Sequence, residues 1–215
     1  MDRPTLYWIS GSPPAWRVML ALVLKGISFD NKRLDHGTGE NRQPGYLKLN
    51  PKGQVPTLVC DELVIRESIA ILAWLDQAWP ERPIWGDTPT NAAMVWQDVM
   101  VMESDLRPAV TASAQGLIHR KSVPGSVRHV LAAEADILAE RLKEHPFLGG
   151  QTPMASDIWL YPAIHWISRG VSLAGNSAFK EAKELTTTRP ALAAWVSRME
   201  ALPGVVETYP PHWRS

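Results

Sequence analysis

Apolar and polar positions in the first eighty residues switch repeatedly between two periods. Residues 5–9 (TLYWI) are aromatic and β-branched and predict a strand. Residues 16–24 carry apolar side chains at helical spacing, and Gly26 marks where that helix stops. Residues 28–34 predict a second strand anchored by Phe29, and the polar stretch 35–50 is irregular with a short helix over 45–49. Two short strands follow over 55–60 and 63–66, joined by Asp61 and Glu62. Residues 68–78 then predict a helix whose buried stripe contains Ile69, Leu72, Ala73 and Leu75. The order β-α-β-α-β-β-α describes a mixed sheet with helices packed on it.

Past Trp79 the pattern changes. The stretch PERPIWGDTPTNAAM is rich in proline and polar residues and reads as a linker, centred on 81–90. Every later apolar run has helical spacing: 91–115, bent at Pro108; 125–143, with Val130, Leu131, Ala135, Leu138 and Leu142; 157–168; 179–185; and 190–202. The expected organisation is therefore a small α/β domain over 1–80, the linker, and an all-helical domain over 91–215. No internal repeat is present.

Composition narrows the function classes. The 215 residues include 22 Lys plus Arg and 22 Asp plus Glu, so there is no net charge to draw the chain toward nucleic acid or an anionic membrane. No apolar run has the length of a membrane span, and the first ten residues lack a secretory core, so a cytoplasmic protein is expected. The single cysteine, Cys60, permits no internal disulfide and sits within a predicted strand, where an inert thiol is expected. His36, His119 and His165 lack metal-ligand spacing, so no metal is expected. Ten tryptophans are many for this length; Trp74, Trp159, Trp166 and Trp195 lie in apolar stretches and are assigned to packing.

Three local patterns carry candidate chemistry. Ser12 sits in SGSPPAW, where the first strand hands over to the first helix; it is either a helix cap or a hydroxyl placed in the field of a helix N-terminus, which favours an adjacent anion such as a thiolate. In NPKGQVPTL, Pro56 cannot donate to a strand ladder; it is an edge-strand proline, or a cis proline in a tight turn that frees Val55 to pair with an extended peptide. In RES, the segment 66–68, Ser68 opens a helix whose N–H groups suit a carboxylate, and Glu67 suits an ammonium; ordinary capping is the alternative.

Taken together, SGSPPAWRVMLALVLKGISF, NPKGQVPTLV and IRESIAILAWLD resemble the cytosolic glutathione transferases, of serine type and similar to the zeta and tau classes. The resemblance covers nearly the whole chain. It implies a thioredoxin-like α/β N-terminal domain and an all-α C-terminal domain, with glutathione as co-substrate and a homodimeric assembly. It implies that Ser12 donates to the glutathione sulfur, with Tyr7 as a rival. Val55 before a cis Pro56 would meet the cysteinyl backbone, Ser68 and Glu67 the γ-glutamyl end, and Gln54, Lys52 or Gln43 the glycine end. An electrophile site between the domains would be lined by Trp8 and Pro13 on one wall. Met102 and Leu106, with Met100, Glu103 and Arg107 nearby, would line the other. The zeta class has a serine and a cysteine after its catalytic serine; Pro13 and Pro14 stand there, which weighs against maleylacetoacetate isomerisation. GGQTPMASDIWLYPAI resembles the family's folding signature, with Asp157 as a buried capping carboxylate and Met154 where a serine or threonine is usual. The implied function is conjugation of glutathione to a small apolar electrophile. The alternatives are a non-catalytic interaction or ligand-binding module on the same fold, and a glutathione-dependent isomerase or lyase.

Overall fold

The computed structural model describes residues 2–213, which form two compact units. One runs to Ile84 and takes back the chain from Leu202 onward; the other is Trp85–Ala201. The sequence reading assigned the whole C-terminal stretch to the helical domain. The tail belongs to the first unit because its side chains bury against the first helix: Trp16 donates its indole N–H to Thr208 Oγ1 at 2.7 Å and meets the Tyr209 ring edge-on at 5.4 Å.

The first unit is a thioredoxin-like fold. Four strands, β1 (Thr5–Trp8), β2 (Asp30–Arg33), β3 (Thr57–Cys60) and β4 (Leu63–Arg66), form one sheet in the order β2-β1-β3-β4. β1 is parallel to β2 and antiparallel to β3, and β3 is antiparallel to β4. Leu6 and Trp8 alternate inward along β1 and join Leu58 of β3 in the core. β2 is shorter than predicted, and all four of its residues, DNKR, are exposed. It is an edge strand held by backbone pairing, and its charges discourage further pairing; the buried anchor before it is Ile27, not Phe29. Between β2 and β3 lie a 3-10 turn over Glu40–Arg42 and the short helix α2 (Pro44–Leu47).

Helix α1 (Pro13–Lys25) starts three residues earlier than predicted. Prolines are tolerated in the first turn, where the missing N–H would have no helical partner, so Pro13 and Pro14 are the first helical residues. Gly26 ends α1 at φ 71°, a left-handed conformation, with its N–H on the carbonyls of Leu22 and Val23. α3 (Ser68–Ala78) packs beside α1 through Ile71, Leu72 and Leu75. Lys25 and Asp76 pair at 2.9 Å with almost no exposure; Lys25 also donates to the Arg82 carbonyl, and Asp76 accepts from the Ile84 N–H. That charge pair is supported on both sides, as burial requires.

The second unit is all-helical. α4 (Pro89–Val101) begins inside the predicted linker, capped by Thr88. The segment before it is pinned because the buried Trp85 stacks on Trp96 at 3.7 Å. α4 passes through a π-helical turn at Met102–Leu106 into α5 (Arg107–Ile118). The widened turn ends at Leu106, immediately before Arg107 and Pro108, where the proline ring crowds the preceding turn and removes a helical N–H. α6 (Gly125–Glu144) buries Leu131, Ala135, Leu138 and Leu142, while Val130 faces outward. α7 (Ala155–Ala174) is central, runs through Pro162 and extends six residues beyond its predicted end. α8 (Lys180–Thr187) and α9 (Pro190–Glu200) complete the unit. Trp159 and Trp195 are fully buried, and Trp74 and Trp166 are half-buried.

Asp157 does more than cap α7. Its carboxylate accepts from the backbone N–H groups of Leu148 (2.8 Å), Gly149 (3.1 Å) and Met154 (3.0 Å) and from the Trp195 indole (2.7 Å). Burial raises its pKa while these four donors oppose the shift.

His165, on α7, is pushed down to about 4 by burial. Glu200 lies 3.6 Å away with its side chain 41% exposed, so solvent screens part of its pull. An unfolded histidine takes its proton near pH 6.5. Between that pH and 4 the unfolded chain therefore binds more protons than the native one, and stability falls as pH falls. Urea unfolding at pH 7 and 4.5 will show this loss, bounded at roughly 3 kcal/mol, and His165→Gln will reduce it.

Candidate functional site at one end of the sheet

Strand register brings the three sequence patterns together. Tyr7 near the end of β1 pairs with Thr57 at the start of β3, and Thr57 also pairs with Arg66 at the end of β4. The turn after β1, the Val55-Pro56 bond before β3 and the Glu67-Ser68 step after β4 therefore lie at the same end of the sheet.

The two helix N-termini there differ. At α1, Ser12 is the N-cap, and its Oγ accepts from the Ala15 N–H at 3.5 Å. Pro13 and Pro14 have no N–H, Trp16 donates to the Ser12 carbonyl at 2.9 Å, and the Ser12 N–H goes to Ile9 O at 3.1 Å. No backbone donor of the first turn is left for a ligand. The hydroxyl proton remains, because Ser12 Oγ is used as an acceptor. At α3 no side chain caps the helix: Glu67 holds the N-cap position at φ 67° without a capping bond, and Ser68, buried, is the first helical residue. This end is open to an anion.

The Val55-Pro56 bond is cis. Residues missed by the sequence reading clamp the loop before it. Tyr46 Oη donates to the Gln54 carbonyl at 2.5 Å and lies 2.8 Å from Thr57 Oγ1. Asn50 Nδ2 also donates to Gln54 O, at 2.8 Å, and Asn41 Nδ2 donates to Gly53 O at 2.7 Å. Burial raises the Tyr46 pKa, so it is a structural phenol at neutral pH. Asn41 and Asn50 are buried, and each spends its amide on a loop carbonyl, a role that nothing in the neighbouring sequence marks. The Gln54 side chain is exposed, and Lys52 pairs with Glu67 at 3.0 Å with both side chains largely exposed.

Trp8 is buried and donates its indole N–H to Asn31 Oδ1; with Ser12 it lines a narrow cavity that Trp16 and Thr208 close. Pro13 is buried at the start of α1. Met102 and Leu106 belong to the second unit and are buried there; Leu106 faces the apolar interior with Val110, Leu131 and Leu160. In that unit Glu103 accepts from the Trp159 indole at 2.5 Å and pairs with Arg107 at 3.1 Å. Tyr7 points to the side of the sheet occupied by Tyr46, its ring 5.8 Å away. Burial raises the Cys60 pKa, and its thiol donates to the Asp2 carbonyl, the setting of a weakly nucleophilic sulfur.

A thioredoxin-like unit with this turn set, followed by a helical unit, defines a class, and comparison with known proteins specifies it. Residues 3–77 match the family model "Glutathione S-transferase, N-terminal domain". A zeta-class glutathione S-transferase of Euphorbia esula is 33% identical over 167 residues, covering 74% of each chain. A maleylacetoacetate isomerase of Pseudomonas aeruginosa is 27% identical over 195 residues, covering 86% of this chain and 92% of its own. The crystal structure of a glutathione S-transferase from the Antarctic clam Laternula elliptica superposes with a TM-score of 0.84 at 29% identity, covering 100% of this chain and 95% of that one. The chain belongs to the glutathione S-transferase family, and its relatives include zeta-class members.

Proposed function

We propose that the protein conjugates glutathione to a small apolar electrophile, with Ser12 as the catalytic residue. The observation that carries this reading is the division of labour between the two helix starts. The open N-terminus of α3, with Ser68, takes the γ-glutamyl carboxylate, and Glu67 takes its ammonium by exchanging it for Lys52. The backbone of Val55 pairs with the cysteinyl segment, and Gln54 and Lys52 stand toward the glycine end. The sulfur then lies at Ser12, whose O–H is the donor left at α1. The thiol proton leaves to solvent, and the Ser12 hydroxyl and the α1 dipole hold the thiolate; a sulfur lone pair then forms the new carbon–sulfur bond while the carbon–halogen bond of a halogenated electrophile breaks and its electron pair leaves with the halide. Trp8 and Pro13, beside Ser12, are assigned to the electrophile site. Family membership supports a homodimer acting in cytoplasmic detoxification.

A second reading, a glutathione-dependent isomerase, is favoured by the relation to maleylacetoacetate isomerase. It uses the same thiolate, so the first experiment serves both. Calorimetric titration with glutathione, followed by the ultraviolet absorbance of the bound thiolate against pH, should show binding and a thiol pKa about two units below the ordinary value near 8.5. No binding at millimolar glutathione would overturn both and leave a non-catalytic module. Relative turnover of maleylacetoacetate and a halogenated aromatic then separates transferase from isomerase.

A further inference from the structure

The segment at the end of the described chain touches the turn that carries Ser12. His212 Nδ1 and Ser10 Oγ share a hydrogen bond at 2.7 Å. Gly11, between Ser10 and Ser12, has φ +83°, and a Cβ there would lie 3.0 Å from His212 Cε1 and 3.3 Å from the Trp213 ring. The glycine is thus required twice, by its backbone angle and by the approach of the tail. Trp213 stands edge-on to Trp16 at 5.8 Å and to Tyr209 at 5.9 Å, and the buried Trp16–Thr208 bond fixes the base of the same cluster.

We propose that His212 and Trp213 are positioning residues for Ser12: they brace the Ser10-Gly11 turn from the opposite end of the chain and so fix where the catalytic hydroxyl points. This rests on the transferase reading for its effect on chemistry, though not for the brace itself. Because Pro13 and Pro14 have no N–H and those of Ala15 and Trp16 turn back to Ser12, the sulfur depends on one hydroxyl, and its placement is set by a three-residue turn. Within that turn the Ser12 N–H reaches Ile9 O. A glycine with wide conformational freedom precedes Ser12, and ordering that glycine is what the tail supplies.

The test uses the full chain with His212→Ala, Trp213→Ala and Ser10→Ala, and with His212→Asn and Trp213→Phe as conservative partners. Asparagine places a polar atom near the position of Nδ1, and phenylalanine keeps a ring over Gly11. Amide hydrogen exchange at Gly11 and Ser12, measured without glutathione, should accelerate about tenfold in the alanine variants. In these variants kcat should fall about three- to tenfold and the bound thiol pKa should rise, while KM for glutathione stays within about twofold. The conservative variants should restore all of these values. Unchanged exchange in folded variants would overturn the brace. Faster exchange with unchanged thiol pKa and kcat would overturn its role in positioning. If Trp213→Ala does not fold, Ser10→Ala, which removes only an exposed hydrogen bond, and His212→Ala, which also removes the ring beside Gly11, decide the matter. A wild-type protein that forms no thiolate would overturn the transferase reading, and the exchange data would still judge the brace.

Discussion

Replacing Ser12 by alanine should lower kcat by about 10²- to 10³-fold, about 3–4 kcal/mol of transition-state stabilisation, while glutathione still binds. Many helix starts would offer several free N–H groups to an anion; here two are absent from Pro13 and Pro14, and the substitution frees only that of Ala15, which loses the serine oxygen. The bound thiol should titrate near its ordinary value in the variant. The same change removes an N-cap, worth about 1 kcal/mol of stability. Ser12→Thr, which keeps both the hydroxyl and the cap, should recover much of the activity, and comparison of the two variants separates chemistry from folding. Steady-state kinetics with ultraviolet titration of the complex makes the measurement. Turnover unchanged in Ser12→Ala would transfer the role to Tyr7 or to the α1 dipole alone.

Asp157→Ala should be the most destabilising single substitution in the second unit, by about 3–5 kcal/mol. The carboxylate is fully buried and receives four donors from three segments: the Leu148-Gly149 turn, the start of α7 and Trp195 on α9. Its removal strands all four, and each buried donor left without an acceptor costs about 1–3 kcal/mol before relaxation. Asp157→Asn should not rescue the fold, because its amide NH₂ must point at N–H groups that are themselves donors. Urea denaturation followed by tryptophan fluorescence reads both variants directly, since Trp195 is one of the partners lost.

The fold was legible wherever local signals sufficed. Gly26, Ser68 and Pro190 mark helix boundaries by their own backbone preferences, and the short strands around Asp61 and Glu62 follow from alternation. The pattern failed where tertiary context decides. β2 has no buried face, so hydrophobicity could not locate it and its length followed from pairing with β1. α7 continues past Ser168 because its neighbours bury Gly170 and Ala174, small residues that carry little hydrophobic signal. The site shows the same division. Ser12, Val55, Pro56, Glu67 and Ser68 stand in turns with recognisable chemistry, and register shows that those turns share one end of the sheet. Tyr46 and Asn50 act on backbone atoms of another loop, and His212 meets Ser10 across 202 positions, so neither had a local signature.

The return of the tail to the first unit also sets an order of events during synthesis. The ribosome makes the strands and helices of that unit first, but Thr208, Tyr209 and Trp213 emerge only after Trp85–Ala201. Until they do, Trp16 lacks its indole acceptor and the side of α1 beside the Ser12 turn is uncovered. The first unit is therefore finished only after the entire helical unit has been made.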